Sequence, residues 1–222
     1  MNLTIPKLVV FDMDGTMLDT EPLSMQGWQA AIKAQNLNVS QQLFDTTFNA
    51  IIGTNADNCR KVITASIPNF DYEAGYNVAR DYMDDYMQAN GVPLKPGLLE
   101  LLDYLEKMNI KKCVATSTRK EKATRNLEWA NIAHRFEVIV GGDEVEASKP
   151  NPDIFLKAAS LCGIAPQACL VLEDSAAGTT GGYHAGMQVI IVPDILQPDD
   201  DIRKMAVTVC NDLFEVVALL GK

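Results

Sequence analysis

The stretch Lys7 to Leu18, KLVVFDMDGTML, joins an apolar run to two carboxylates, Asp12 and Asp14, and closes on Gly15 and Thr16. Continuous apolar residues from Leu8 to Phe11 predict a parallel strand buried on both faces, since a half-exposed strand would alternate apolar with polar. Asp12 then stands where the strand runs out. Open α/β sheets bind ligands outside the carboxyl ends of their strands, so a carboxylate at that point is placed for chemistry rather than for packing. Gly15 allows a sharp backbone turn directly afterwards. Two carboxylates at i and i+2 suit a divalent cation such as Mg²⁺, which prefers hard oxygen ligands. They also suit nucleophilic catalysis, with one carboxylate attacking and the other moving protons. Taken alone, DMDG reads equally well as an acidic turn.

The rest of the composition narrows the choice. A chain of 222 residues accommodates one large domain, or a medium one with a smaller insertion. With 47% hydrophobic and 22% charged residues it is an ordinary globular composition, not a disordered one. A formal net charge of −10 argues against nucleic acid as a partner, because its recognition needs basic patches. The opening MNLTIPKLVVFDMDG has no basic segment followed by a long apolar core, and no apolar run reaches the ~18 residues that span a membrane. No signal peptide and no membrane are expected, and the protein is expected to be cytoplasmic. The five cysteines lack metal-site spacing and read as small core residues.

Residues 17–90 break the strand pattern. MLDTEPLSMQGWQAAIKAQ reads as a loop and then a helix, and Asp57 to Ala65 and Tyr72 to Met87 read as further helices. Tyr72, Tyr76, Ala79, Tyr82, Met83 and Tyr86 recur at helical spacing and are expected to pack. This is an all-helical insertion, with nine acidic side chains against four bases. Gly91, Pro93, Pro96 and Gly97 mark the return. Beyond them strands alternate with helices: strands Lys112 to Thr116, Val138 to Val140, Cys169 to Leu172 and Gln188 to Val192, and a weaker run at Val207 to Cys210. The helices are Leu98 to Met108, Glu121 to Ala130, Pro152 to Cys162, Ala176 to Ala185 and Leu213 to Leu220, while Asp199 to Asp201 reads as a solvated loop. Repeated βα units predict an α/β fold with a Rossmann-like parallel sheet as its core. The expected core is 1–16 with 91–222, and the expected helical cap is 17–90, inserted after the first strand. The two crossings, 16–20 and 90–96, are candidate hinges.

Three later strands end, like the first, in polar residues: Ser117, Thr118 and Arg119; then Gly141, Gly142 and Asp143 ahead of Lys149-Pro150; then Glu173, Asp174 and Ser175, with Gly178 following. Hydroxyl, ammonium and carboxylates converging on one sheet edge can hold a phosphoryl group against Mg²⁺. D-x-D-G-T at 12–16, Ser117, the K-P at 149–150 and E-D-S-x-x-G at 173–178 resemble, in order, the four motifs of the haloacid dehalogenase superfamily. The insertion after the first motif is similar to the cap of the subgroup that holds β-phosphoglucomutase and many sugar-phosphate phosphatases.

That resemblance implies roles. Asp12 is then the nucleophile that accepts the phosphoryl group, and Asp14 the general acid and base. Mg²⁺ is held by Asp12, Asp14 through its backbone carbonyl, and Asp174, with Glu173 near the metal. Ser117, Thr118 and Lys149 hold phosphoryl oxygens, Thr116 being the alternative for the hydroxyl. The aspartate at position 14 favours phosphoryl transfer over dehalogenation. Mutase-like chains carry a cap histidine and arginine where this chain has Ser24 and Ala56, so a phosphatase of small phosphorylated metabolites, with sugar phosphates preferred, is expected ahead of a mutase. A non-catalytic metabolite-binding protein is the third reading, against which every catalytic position is intact. D-T-E-P at 19–22 is similar to hexose-phosphate phosphatases. Glu21, Ile52, Gly53 and Asn55 are the candidate cap residues for specificity. A monomer is expected, since no coiled coil or repeat is present.

Overall fold

The computed structural model describes residues 3–52 and 56–221. Strand β1, Leu8–Phe11, is completely buried, as its unbroken apolar sequence requires. It pairs in parallel with β2, Lys111–Ala115, on one side and with β4, Cys169–Glu173, on the other. Strand β3, Val138–Val140, lies outside β2, while β5, Gln188–Ile191, and the short β6, Thr208–Val209, extend the far side. The order β3-β2-β1-β4-β5-β6 is wholly parallel. The chain reverses direction across the sheet between β1 and β4, the kind of switch point where such sheets bind ligands.

Two compact units emerge, Met1–Asp19 with Val92–Lys222 and Thr20–Gly91. The first crossing therefore falls three residues later than the sequence reading placed it, for a backbone reason. Met17 and Leu18 are fully buried, Leu18 forms an antiparallel bridge to Leu94, and Lys95 N–H donates to Met17 O while Asp19 N–H donates to Pro93 O. Both passages belong to the sheet unit and are stitched to each other.

In the sheet unit, helices α5, Leu98–Lys107, and α10, Leu213–Leu220, pack together. Helix α7, Asp153–Leu161, buries Ile154, Phe155, Ala158 and Ala159 with Leu8, Val10 and Val171. Burial of a Phe or Leu side chain contributes about 1.5–3 kcal/mol, so this layer anchors β1 and β4 from one face. Helices α6, Lys120–Trp129, and α8, Ala176–His184, complete the alternation. One helix departs from the sequence reading: α9, Asp200–Met205, occupies the acidic run expected as loop. The Asp199 carboxylate caps it by accepting from Asp201 and Ile202 N–H, and Asp200 and Asp201 sit in its first turn, where the helix dipole favours negative charge.

The other unit is helical throughout its described residues: α1, Glu21–Ala34; α2, Gln41–Asn49; α3, Ala56–Ser66; and α4, Tyr72–Asn90. Its core gathers on Trp28, whose ring lies 5.4 Å from Phe48 and 5.9 Å from Tyr72. Gly27 lets α1 and α4 meet, because a Cβ there would come within 2.8 Å of Ala79 O. The tyrosine stripe packs less than its spacing predicts. Tyr72 is buried, but Tyr76, Tyr82 and Tyr86 are exposed, since the buried face of α4 runs through Gly75, Ala79 and Met87 instead. All five cysteines are free, and four are buried. Among the described residues no helix is long and apolar enough to cross a membrane.

Candidate active site

The parallel register aligns strand ends. Phe11 stands opposite Val114 on one side and Leu172 on the other, so the next row holds Asp12, Ala115 and Glu173 from the three central strands. The Lys149 ammonium closes that row. Its Nζ donates to Asp12 Oδ1 at 2.5 Å, to Glu173 Oε1 at 2.7 Å and to Ala115 O at 3.0 Å. All three ammonium protons thereby have acceptors. Lys149 precedes Pro150 through a cis peptide bond.

Carboxylate oxygens of Asp12, Glu173 and Asp174 lie within 4.8 Å of one another. Three carboxylates against one ammonium leave the cluster short of positive charge, and the titration behaviour reflects this. Burial pushes the Asp12 carboxyl up to about 8; the Lys149 charge opposes the rise and the Glu173 charge adds to it. Asp174 is pushed up to about 9 by burial and by the charges of Glu173 and Asp12. Burial works against the Lys149 ammonium, but Asp12 and Glu173 together hold it above the ordinary lysine value. An all-oxygen set with excess negative charge fits a hard divalent cation.

Glycines make the space. A Cβ at Gly15, whose φ is +84°, would approach Asp174 Oδ2 to 2.5 Å, and one at Gly178 would overlap the Glu173 carboxylate. Ser175 completes the E-D-S-x-x-G segment. Its N–H and hydroxyl both donate to Glu173 Oε2 at 2.8 Å, and its Oγ accepts from Gly178 N–H at the start of α8. Glu173 is thus held on both oxygens, by Lys149 and by Ser175. The Thr16 hydroxyl reaches Asp174 Oδ1 only at 3.5 Å.

Two of the expected hydroxyls are placed differently from the sequence reading. Strand β2 ends at Ala115, one residue before the predicted end, so Thr116 rather than Ser117 is the first residue beyond it. Thr116 is buried and its Oγ1 accepts from Thr118 N–H at 3.1 Å, leaving its own proton to donate, whereas the Ser117 side chain is exposed. Thr118, expected on phosphate, donates its hydroxyl proton to Asp14 Oδ2 at 2.8 Å. A hydroxyl has one proton to give, so this one is committed to Asp14. The Asp14 side chain, for its part, lies outside the carboxylate cluster. In the helical unit Glu21 and Ile52 are half-buried, while Gly53 and Asn55 lie outside the described residues.

Sequence reasoning missed one charged group at this edge. Lys95 Nζ donates to Asp194 Oδ1 at 2.7 Å and lies 3.5 Å from Asp19, and a Cβ on Gly15 would stand 3.4 Å from Asp194 Oδ2. Only long-range packing joins these three residues.

Comparison with known proteins agrees with this fold. The sequence profile of the haloacid dehalogenase-like hydrolases matches residues 9–192. Protein CbbY of Rhodobacter capsulatus is 31% identical over 204 residues, covering 88% of each chain. Hexitol phosphatase A of Escherichia coli is 30% identical, over 82% of this chain and 81% of its own. In fold, the chain is similar to a putative β-phosphoglucomutase from Thermotoga maritima, with a TM-score of 0.82 and 24% identity over 96% of this chain and 98% of that one. The chain belongs to the haloacid dehalogenase-like hydrolases, among their phosphatases.

Proposed function

We propose that this phosphoric monoester hydrolase is Mg²⁺-dependent and removes the phosphoryl group from small phosphorylated sugars, through a phosphoaspartate on Asp12. The observation that carries the reading is the Lys149 ammonium bridging Asp12 and Glu173 inside a carboxylate cluster with Asp174. A carboxylate buried this deeply would ordinarily sit protonated. Lys149 favours its charged, nucleophilic form and fixes its Oδ1.

Asp12, Asp174 and the Asp14 carbonyl would hold the metal, with Glu173 keeping Lys149 in place beside it. Bound there, Mg²⁺ would supply positive charge to the phosphoryl oxygens and offset the surplus of carboxylates. An Asp12 carboxylate oxygen forms a bond to phosphorus as the bond from phosphorus to the sugar oxygen breaks. Asp14, initially protonated, gives its proton to that leaving oxygen. Water then attacks phosphorus as Asp14 takes back a proton, the bond to Asp12 breaks, and inorganic phosphate leaves. Thr116 O–H is the strand-end donor for a phosphoryl oxygen, and Lys149 reaches one only by exchanging an existing acceptor.

Support for a sugar comes from relatives named as phosphatases of sugar derivatives, such as the hexitol phosphatase, and from the D-T-E-P segment at 19–22. The test is phosphate release from a panel of hexose, pentose and hexitol phosphates and nucleotides, with Mg²⁺ or with EDTA. Metal-dependent release, strongest on a sugar phosphate, is expected. Interconversion of glucose phosphates without release of phosphate would instead make the enzyme a mutase.

A further inference from the structure

The loop after β2 is clamped by several hydrogen bonds. Thr116 N–H donates to Val140 O, Thr118 N–H to Thr116 Oγ1, and Thr118 O accepts from Gly142 N–H at 3.0 Å. Lys120 N–H donates to Asp143 Oδ1 at 2.8 Å. Gly141 and Gly142 let the two loops approach this closely. A Cβ on Gly142 would strike the Ser117 carbonyl, and one on Gly141 would strike Lys120 N. The backbone of Thr118 is therefore tied at its N–H and at its carbonyl. Its hydroxyl leaves this fixed point to meet Asp14 Oδ2.

We propose that Thr118 is a positioning residue for Asp14: its hydroxyl fixes the rotamer of that carboxyl. The inference rests on the reading of Asp14 as general acid. With Oδ2 held by the Thr118 hydroxyl, the carboxyl need not be sorted among orientations before transfer. The Gly141-Gly142 pair thereby acts on catalysis at one remove, through the loop it clamps. Asp14 has further contacts as well.

An acid matters in proportion to how poorly the leaving group departs. An alkyl phosphate needs its oxygen protonated, while nitrophenolate leaves without help. The experiment measures the single-turnover rate of leaving-group release from a sugar phosphate and from p-nitrophenyl phosphate, in wild type, Asp14→Asn, Thr118→Val and Thr118→Ser. Thr118→Val should slow release of the sugar by about 10–100-fold, a part of the 10²–10⁴ that general acid catalysis supplies, and release of nitrophenolate by less than about 3-fold. Thr118→Ser, which keeps the hydroxyl, should stay close to wild type on both. Equal losses on the two substrates in Thr118→Val, while Asp14→Asn discriminates between them, overturn the role of Thr118 alone. Failure of Asp14→Asn to discriminate removes the acid from Asp14, and this proposal with it. A folding defect in the valine variant would slow both substrates alike, so the ratio of the two losses decides.

Discussion

Asp12 and Asp174 are carboxylates pushed up to about 8 and about 9, and that direction has a thermodynamic consequence. A folded-state value above the unfolded one, near 4, means that the metal-free fold binds more protons than the unfolded chain between those limits. Its stability is then greatest at the acid end of that window and falls as pH rises toward 8 and 9. A bound cation replaces those protons. The midpoint of thermal unfolding in EDTA should therefore fall between pH 6 and pH 9, and the rise produced by added Mg²⁺ should be larger at pH 9 than at pH 6. A Mg²⁺ effect that shrinks with rising pH would contradict the assignment of these carboxylates as its ligands. Gly178 offers a steric test at the same scale. Gly178→Ala drives a methyl group into the Glu173 carboxylate, so a loss of about 1–3 kcal/mol is expected from overpacking. Denaturant unfolding measures it, and the same variant should lose most of its response to Mg²⁺ as Glu173 releases Lys149.

At the level of elements, Asp199 is the clearest single cap. Asp199→Ala removes the acceptor of two N–H groups and should cost about 1 kcal/mol, with faster hydrogen exchange at Asp201 and Ile202. That helix was illegible because three successive aspartates look the same whether solvated or capping. The strands were legible for the opposite reason. A buried parallel strand demands an unbroken apolar run, and Leu8 to Phe11 or Leu170 to Leu172 has no other economical reading. At strand ends the signal blurs by a residue. Threonine fits a strand as well as a turn, so Thr116 extended the apparent run of β2 and displaced the expected hydroxyl to Ser117. The bond from Thr118 to Asp14 and the ion pair from Lys95 to Asp194 span 104 and 99 residues, and nothing local in the chain records either. The motif residues Asp12, Glu173 and Asp174 could be found because they stand at strand ends, and Lys149 because it lies in the connection after β3; the parallel register brings the strand ends together.

For the molecule as a whole, the formal net charge of −10 opposes an anionic substrate. Raising ionic strength from about 0.01 M to about 0.15 M shortens the screening length from about 30 Å to about 8 Å. With Mg²⁺ saturating, kcat/KM for a sugar phosphate should rise over that range; a fall would mean that local positive charge governs approach instead. The lysine at the strand ends has to overcome this field only at short range, where a buried site is screened least. The claim on which the rest depends is that Asp12 carries the phosphoryl group. The most direct measurement is rapid acid quenching during turnover of a sugar phosphate with Mg²⁺, followed by mass spectrometry of the peptide that contains Asp12. The account predicts one added phosphoryl group on Asp12 in the wild type, none in Asp12→Asn, and a loss of turnover in that variant of more than about a thousandfold. Phosphate release with an unmodified Asp12 peptide, or an Asp12→Asn enzyme that still turns over, would contradict it.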